Sequence, residues 1–409
     1  EFSDFNERKQ ALARALELSL QDSARVWLLE GRNYAPRQPS LEVVPDLATG
    51  LEGSTAWPLT LRWTGQEGGS LAWGAESLLV DPWNPLGGST WVYDAQIQRG
   101  TASGGLLRDP QNGLNWPLRI ESTRVTAAQG LPIQESLGWV NLEFNSSIRV
   151  PGDALVDWDA NRQQFITAAE KFPQGTTALI KSEVTYPADL WETVTWHDGS
   201  RLDLADFIFW MILQMDPGKP ESLIYDEEEL APATEAFLSS FKGFRILSEQ
   251  PLVIEWYTDL YELDAENNIY TMWPAYANGE APWHSLAVAN LGVLNGELAY
   301  TYSKADADGV EWADFISGPS LDILSNSLDK ALRTDEIPYL PTLYQYISEE
   351  EAAERYANLR NFYANYGHFW VGTGPYYLAG AYKTESVAIL ANYPAYPDEA
   401  SRWDWLVER

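Results

Sequence analysis

The stretch VTWHDGSRLDLADFIFWMILQMD, residues 194–216, places a histidine beside an aspartate in a polar turn that leads into an apolar segment. His197 and Asp198 are residue types that serve in acid–base catalysis and as metal ligands. The chain has 3 histidines, and the other two, His284 and His368, lie far from this turn in sequence. A zinc site built from histidines would need all three to converge, with carboxylates completing the ligand set.

The usual catalytic motifs are absent from the sequence. No G-x-S-x-G, H-E-x-x-H, Walker A or G-x-G-x-x-G pattern occurs. There is no cysteine, which excludes disulfides, thiolate metal sites and cysteine nucleophiles. The 59 acidic residues include more than enough carboxylates for a glycosidase pair, but no spacing singles out two of them. We therefore predict no catalytic residues, no metal site and no cofactor.

Each polar residue of the opening stretch also has a simple structural role. Gly199 supplies the backbone freedom that a tight turn needs. Asp203 is a good N-cap for the apolar helix that follows, and Asp206 stands near the positive end of its dipole. We expect His197 to tie the turn down. The local pattern thus favours a structural unit over an active site.

Charge and aromatic content restrict the partners. The 27 basic and 59 acidic residues give a formal net charge of −32, so the chain should repel nucleic acid, and anionic ligands are disfavoured. Neutral or cationic ligands are compatible with this charge. The 19 Trp and 21 Tyr residues suit both cores and ligand pockets, because each buries a large area and keeps a polar group.

Hydrophobic periodicity predicts an irregular alternation of helices and strands. The predicted helices cover residues 4–21, with Ser3 or Asp4 as the cap, and 203–215, 233–241, 318–333 and 348–366. The predicted strands cover 24–31, 59–63, 70–80, 138–144, 147–150, 176–186, 244–247 and 252–257, the last two as a hairpin. Residues 81–120 are dense in turn residues. This order indicates an α/β protein with mixed sheets, not a barrel.

Two further segments have a predicted location. Residues 259–316 show few clear periods and are predicted to form a long surface loop over a cleft. The aromatic C-terminal segment SRWDWLVER is predicted to dock on a core. No apolar run has the length of a membrane span.

The motif VTWHDGSRLDLADFIFWM, residues 194–211, resembles the strand–turn–helix signature of the family 5 extracellular solute-binding proteins of ABC importers, which bind oligopeptides or oligosaccharides. VGTGPYYL, residues 371–378, is similar to the Gly-Thr-Gly-Pro-Tyr turn of that family. A weaker similarity covers the segments 80–100 and 106–122. The three similarities occur in the family's order and cover about a third of the chain.

The resemblance implies an α/β fold with periplasmic-binding-protein-like type II lobes of mixed sheets, incomplete or rearranged relative to the family. Residues 1–75 would belong to a lobe shared with a separate N-terminal part. Residues 76–125 and 370–409 would form the hinge-proximal lobe, and 126–369 an enlarged second lobe that carries the His-Asp-Gly turn. The chain is accordingly expected to be part of a longer precursor, and a second chain from that precursor is an expected partner.

The implied function is non-catalytic capture of an oligopeptide or oligosaccharide by lobe closure, followed by delivery to a membrane ABC permease. The implied location is extracellular or periplasmic, with membrane tethering through a part outside this chain. Oligosaccharide-binding members use aromatic platforms, and the candidates here are the tryptophans of irregular segments, Trp83, Trp91, Trp273 and Trp283. Two alternatives stay open: a surface or assembly protein that retains the scaffold, and a secreted carbohydrate-active enzyme.

Overall fold

The computed structural model describes residues 5–22 and 35–408. Its α-helices are α1 (Phe5–Asp22), α2 (Trp57–Thr60), α3 (Val92–Thr101), α4 (Ala168–Lys171), α5 (Leu190–Thr193), α6 (Leu204–Leu213), α7 (Leu230–Ser240), α8 (Trp283–Leu294), α9 (Tyr302–Asp308), α10 (Ser320–Thr334), α11 (Leu340–Leu343), α12 (Glu349–Tyr366) and α13 (Asp404–Val407). Short 3₁₀ helices span Asp216–Gly218, Ala265–Asn267 and Ala400–Trp403.

The strands of the described residues range from two-residue pairs to the long hairpin near the middle of the chain. They are β1 (Leu41–Glu42), β2 (Arg62–Trp63), β3 (Leu106–Arg108), β4 (Asn115–Pro117), β5 (Ser122–Ala128), β6 (Asn141–Asn145), β7 (Ile148–Val150), β8 (Leu155–Asp159), β9 (Gln164–Thr167), β10 (Thr176–Ala178), β11 (Ile180–Thr185), β12 (Phe241–Glu249), β13 (Leu252–Thr258), β14 (Ala275–Tyr276), β15 (Gly279–Glu280), β16 (Leu298–Ala299), β17 (Glu311–Trp312), β18 (Tyr376–Tyr382) and β19 (Val387–Asn392).

A seven-stranded mixed sheet is the largest element of the fold, with the order β6-β5-β11-β13-β12-β8-β9. The β5–β6 pair is parallel and the other neighbours are antiparallel. Strand β11 alternates in burial: Ile180, Ser182 and Val184 are buried, while Lys181 and Glu183 are half-exposed. One face therefore covers the core and the other meets solvent, as the period of two requires. The expected α/β class with mixed sheets is confirmed at this level.

Helix α6 follows the turn of the opening motif and is buried. Asp203 is its N-cap and forms a reciprocal capping box with Asp206. Phe207, Phe209 and Met211 are each 0% exposed. A helix that is apolar on all sides is expected in the interior, so α6 belongs to the core. The predicted helix at 203–215 and its cap are confirmed.

The predicted surface loop at 259–316 is wrong, because this segment contains the buried helix α8. All residues from Trp283 to Gly292 are buried, and α8 contacts α6, α10 and α12. Neighbours on several sides leave no polar face, so the helix has no amphipathic period to detect. Residues 302–308 add the capped helix α9.

Three further differences concern the first half of the chain. Residues 59–63 form the end of α2 and the short strand β2, and 70–80 form no strand. Pro58 in the first turn of α2 is compatible with helix initiation. The turn-dense segment 81–120 contains α3, and the strands β8 and β9 were not predicted. The predicted strand 24–31 and the caps Ser3 and Asp4 lie outside the described residues.

The remaining predicted elements agree with the structure. The helices predicted at 4–21, 233–241, 318–333 and 348–366 correspond to α1, α7, α10 and α12. The strands predicted at 138–144, 147–150 and 176–186 correspond to β6, β7 and the β10–β11 segment, and the predicted hairpin to β12–β13. The bounds of these elements differ from the predicted ones by at most three residues, as is usual at element ends.

The apolar core is one large cluster with two smaller ones. The large cluster includes residues from Leu79 to Leu378 and contains α6 and α8. A smaller cluster joins Val44 and Ala56 to Trp403 and Leu406 of the C-terminal segment. The predicted docking of that segment is confirmed. The proposed boundaries at residues 75, 125 and 369 stay predictions. None of the described helices combines the length and the apolar character needed to cross a membrane.

Candidate functional site

The turn at His197 is hydrogen-bonded directly to the Gly-Thr-Gly turn at 372–374. The backbone N–H of His197 donates to the oxygen of Gly372 at 2.9 Å, and the N–H of Gly372 donates to Nδ1 of His197 at 3.2 Å. On the other side of the ring, Nε2 of His197 donates to the oxygen of Gly374 at 3.0 Å. The two most specific sequence motifs therefore meet at one junction, which we call the glycine junction (residues 197–199 and 372–374).

The glycines of this junction allow an unusually close backbone approach to the end of α3. A Cβ atom on Gly372 would lie 2.0 Å from the oxygen of Thr101, and one on Gly374 would lie 2.4 Å from the carbonyl carbon of Thr101. The N–H of Gly374 donates to the Thr101 oxygen at 2.9 Å. Any other residue at 372 or 374 would push α3 away from the junction.

His197 has no free atom for proton transfer or metal binding. It is buried, and burial lowers its pKa to about 4, despite the hydrogen bond to Gly374 that acts in the opposite direction. The ring is therefore neutral at physiological pH, with its proton on Nε2 and the Nδ1 lone pair accepting from Gly372. This arrangement assigns His197 to positioning the two turns.

His368 uses the same arrangement on the same segment. Its Nδ1 accepts from the N–H of Trp370 at 3.2 Å, and its Nε2 donates to the oxygen of Leu378 at 2.8 Å. Burial also lowers the pKa of His368 to about 4. Among the described residues, no group of three or more His, Cys, Asp or Glu side chains has a geometry that could hold a metal ion.

Asp198, which follows His197, pairs with the third histidine. Nε2 of His284 donates to Oδ2 of Asp198 at 2.7 Å, and the side chains of both residues have no exposed surface. Burial acts to raise the pKa of Asp198, but His284 and the N–H of Ser200 outweigh it and hold the pKa below its usual range. Asp198 is thus a satisfied buried carboxylate that ties the turn to α8.

Arg355 on α12 completes a buried polar network around the start of α6. Its Nη1 lies 3.1 Å from Oδ1 of Asp206, and its Nη2 donates to Asp203. Asp206 also accepts from Nε1 of Trp196 at 3.1 Å and from the N–H of Trp283 at 3.0 Å. Arg355 and Asp206 are buried and paired with each other, so the network can hold α6, α8 and α12 together.

A cleft lies beside the glycine junction, between α3 and the β14–β15 hairpin. Its volume is ≈ 390 Å³, and its polar lining comes from Ser89, Thr90, Gln98, Arg99, Tyr276, Asn278 and Glu280. The lining residues of α3 lie on the face of the helix that looks towards the hairpin. This cavity is in the usual size range of small-ligand sites.

Glu280 anchors the hairpin at one end of the cleft. Its Oε1 accepts from the N–H groups of Ser103 and Gly104 and from Nε1 of Trp273, at 2.9, 2.8 and 2.7 Å. Its Oε2 accepts from the N–H and the hydroxyl of Thr373 at 3.0 and 2.6 Å. Burial raises the pKa of Glu280 against these hydrogen bonds. The carboxylate joins the end of α3, the hairpin and the glycine junction.

In a second, larger cavity the charged side chains of the lining already have partners. It measures ≈ 540 Å³ and lies between residues 220–230 and 293–310. Its charged groups are paired: Asp226 accepts from Thr301 and two backbone N–H groups, and Lys304 lies 2.9 Å from Asp308. None of its lining side chains has a buried polar atom without a partner. We therefore assign the candidate ligand site to the smaller cleft.

The four candidate tryptophans occupy two different environments. Trp83, Trp273 and Trp283 are 0%, 3% and 0% exposed and pack against other aromatic rings, so none presents a ring face to solvent. Trp91 is 41% exposed and is the N-cap residue of α3, next to Thr90 of the cleft lining. A platform role stays a prediction for all four, and Trp91 alone of the four has an accessible ring.

The sequence did not single out Gln98, Arg99 or Glu280. One weak signal was present: the stretch AQIQRGTAS, residues 95–103, has a basic residue and no acidic one in a strongly acidic chain. A scan against protein-family models finds no match for the chain, and a search of curated proteins finds no significant match.

Proposed function

We propose that this chain is an extracellular solute-binding protein of the family 5 type, which captures an oligopeptide or an oligosaccharide and delivers it to an ABC permease. The observation that carries the proposal is the glycine junction. The two motifs on which the resemblance rests are far apart in sequence, yet His197 forms hydrogen bonds with both Gly372 and Gly374. Their contact beside a cleft supports a common structural purpose for the two motifs.

The cleft supplies the two-sided geometry that capture requires. One wall is α3 and the other is the β14–β15 hairpin. The proposal places closure between two lobes, because a ligand that contacts both lobes stabilises the closed arrangement, whereas the open arrangement offers contact with one lobe only. Type II lobes on either side of this cleft, formed with a second chain from the same precursor, are part of the proposal.

The chemistry of the nearby polar groups favours binding over catalysis. His197 is neutral with both ring nitrogens hydrogen-bonded, Asp198 is paired with His284, and Glu280 accepts five hydrogen bonds. A general acid or base needs a free position within hydrogen-bonding distance of the substrate, and these three side chains have none. The proposed location is extracellular or periplasmic.

Calorimetry of the purified chain against panels of short peptides and neutral oligosaccharides tests the proposal. The expected result is saturable binding of one class, with the ligand recovered unchanged. Release of reducing ends would instead identify a carbohydrate-active enzyme. Absence of binding together with a stable second chain would identify an assembly protein that retains the scaffold.

A further inference from the structure

Strand β19 lies at the edge of a sheet that consists of β18 and β19 alone in the described residues. Within that part of the chain, all backbone hydrogen bonding of β19 is with β18. In an antiparallel pair, every second residue of an edge strand directs its N–H and C=O groups outwards. The outer edge of β19 therefore offers a row of backbone donors and acceptors to a further strand.

The two faces of β19 have different surroundings. Leu390 lies against α3, since a Cβ atom on Gly100 would be 3.1 Å from its Cδ1. Val387 and Ile389, on the opposite face, are 43% and 46% exposed. Tyr382, which pairs with Val387 across the hairpin, is 49% exposed. Tyr382, Val387 and Ile389 thus form an apolar strip on the solvent side of the hairpin.

The sequence of β19 contains nothing that opposes pairing at its edge. The strand reads VAILAN, without proline or charge, whereas natural edge strands are commonly protected by charged residues, proline or a covering element. The edge strands of the seven-stranded sheet have such protection, because β6 carries Glu143 at its centre and β9 contacts α11. A two-stranded hairpin is marginally stable by itself, and a third strand adds stability. These properties favour an inner position for β19 in a larger sheet.

The charge pattern around β19 favours a second copy of the chain as the source of that strand. Residues 386–397 include no charged residue, although 21% of the chain is charged. Two copies of this stretch can therefore lie side by side without contact between like charges, and the stretch offers no ion pair to a basic or acidic strand of another protein. The net charge of −32 opposes association at long range, but salt screens charges beyond about 10 Å.

We infer that two copies of the chain associate through β19, in antiparallel orientation about a two-fold axis at Ile389. The product is a four-stranded sheet with the order β18-β19-β19-β18. Opposite residues of an antiparallel pair point to the same face, so Ile389 meets its own copy and the two apolar strips join. The axis relates identical edges, so association stops at the dimer. This inference goes beyond the proposed function, because the surface lies outside the cleft.

Sedimentation velocity of the purified chain tests the inference. The interface is below standard size, so we expect a dissociation constant of roughly 10–100 µM, and added salt should favour the dimer by screening the repulsion between acidic chains. Ile389→Lys should weaken association at least roughly tenfold, because a charge at an edge strand opposes pairing. Phe144→Lys, at a position of β6 that is 49% exposed, makes the same change of charge and should leave association unchanged.

A single introduced cysteine gives a second, independent measurement, because the chain has no cysteine of its own. Two residues that face each other on the axis have Cα atoms about 4.5–5.5 Å apart, which is compatible with a disulfide. With oxidised glutathione, Ile389→Cys should form a covalent dimer at least roughly tenfold faster than Phe144→Cys. Circular dichroism checks that the variants are folded, and the cysteine pair decides the question if Ile389→Lys does not fold.

Several outcomes would refute the inference. A monomer at every concentration would do so, as would a dimer that Ile389→Lys retains at full strength. Equal rates of disulfide formation by Ile389→Cys and Phe144→Cys, or oligomers larger than the dimer, would also contradict it. Solute binding by the cleft is measured separately, so these results leave the proposed function intact.

Discussion

Nε2 of His197 lies 3.0 Å from the carbonyl oxygen of Gly374, a residue 177 positions later in the chain. Together with the hydrogen bonds between His197 and Gly372, this contact makes one neutral imidazole ring the connection between two turns. The histidine that looked most like a catalytic residue in the sequence therefore has a structural function in the fold.

We expect His197→Ala to lower the free energy of unfolding by about 3–5 kcal/mol, because it opens a cavity and leaves buried backbone groups at the glycine junction without partners. Ligand affinity of the folded fraction should stay within a few-fold of wild type, since the ring does not reach the cleft. Urea denaturation and calorimetry measure the two quantities. Arg201→Ala, at an exposed position nearby, is the control and should change stability by less than about 0.5 kcal/mol. Loss of binding with unchanged stability would contradict the structural role.

His197 and His368 should titrate far below the ordinary histidine value. Burial lowers both pKa values to about 4, whereas the unfolded chain protonates near 6.5. Between these values the unfolded state binds more protons, so stability falls as the pH decreases from 6.5 towards 4. At about 1.4 kcal/mol per pH unit, each ring accounts for up to about 3 kcal/mol of this loss.

Proton NMR of the imidazole resonances measures the two pKa values directly. His197→Gln and His368→Gln keep a donor and an acceptor but cannot be protonated, so each should make the stability less dependent on pH over this window. The raised pKa values of Asp206 and Glu280 act in the opposite direction, and comparison of each variant with wild type removes their contribution. Titration of both rings near pH 6.5 would show that they are not enclosed as described.

The Arg355–Asp206 pair should show strong energetic coupling. Asp206→Ala leaves Nη1 of Arg355, the Trp196 indole and the Trp283 N–H without their acceptor, and we expect a loss of about 3–5 kcal/mol. Arg355→Met alone should cost a similar amount, because Asp206, which is 0% exposed, then remains buried without its cation. The double variant should lose much less than the sum of the two, as measured by urea denaturation in a double-mutant cycle. Simple additivity would show that the two side chains do not interact.

The tryptophans should separate into core and surface classes. Trp283→Ala is expected to cost about 3–5 kcal/mol, because the ring is 0% exposed. Trp91→Ala should cost less than about 1 kcal/mol, and it is the substitution among the four candidates that we expect to weaken ligand binding in a folded protein. Thermal unfolding and calorimetry distinguish the two classes. A folded Trp91→Ala protein with unchanged affinity for its ligand would remove the one accessible platform among the four candidates.

An element could be predicted from the sequence where its pattern of apolar and polar residues matches its pattern of burial in the fold. Helix α6 was predictable because Asp203 marks its start and an apolar run follows. Helix α8 was not, because neighbours enclose it and no polar face produces a period. Helix α3 was missed for the opposite reason: its buried residues include Asp94, Gln96 and Gln98, so it has no apolar stripe.

The candidate site was harder to predict than the fold. Trp83 lies outside helices and strands and yet is 0% exposed, so an irregular segment was a poor guide to accessibility. The contact between His197 and Gly374 joins distant parts of the chain, and local pattern carries no information about it. The resemblance pointed to the two turns, but not to α3, whose end the Gly-Thr-Gly turn contacts.

The anchoring of Glu280 gives the cleft a fixed width. Glu280 accepts from the N–H groups of Ser103 and Gly104 at one end of the hairpin, and the N–H of Asn278 at its tip donates to the oxygen of Pro85 at 2.9 Å. Because both ends are tied to the segments that flank α3, the two walls form a gap whose shape does not depend on a ligand. A ligand would therefore be selected by its fit to this gap, and little of its binding free energy would be spent on ordering the walls.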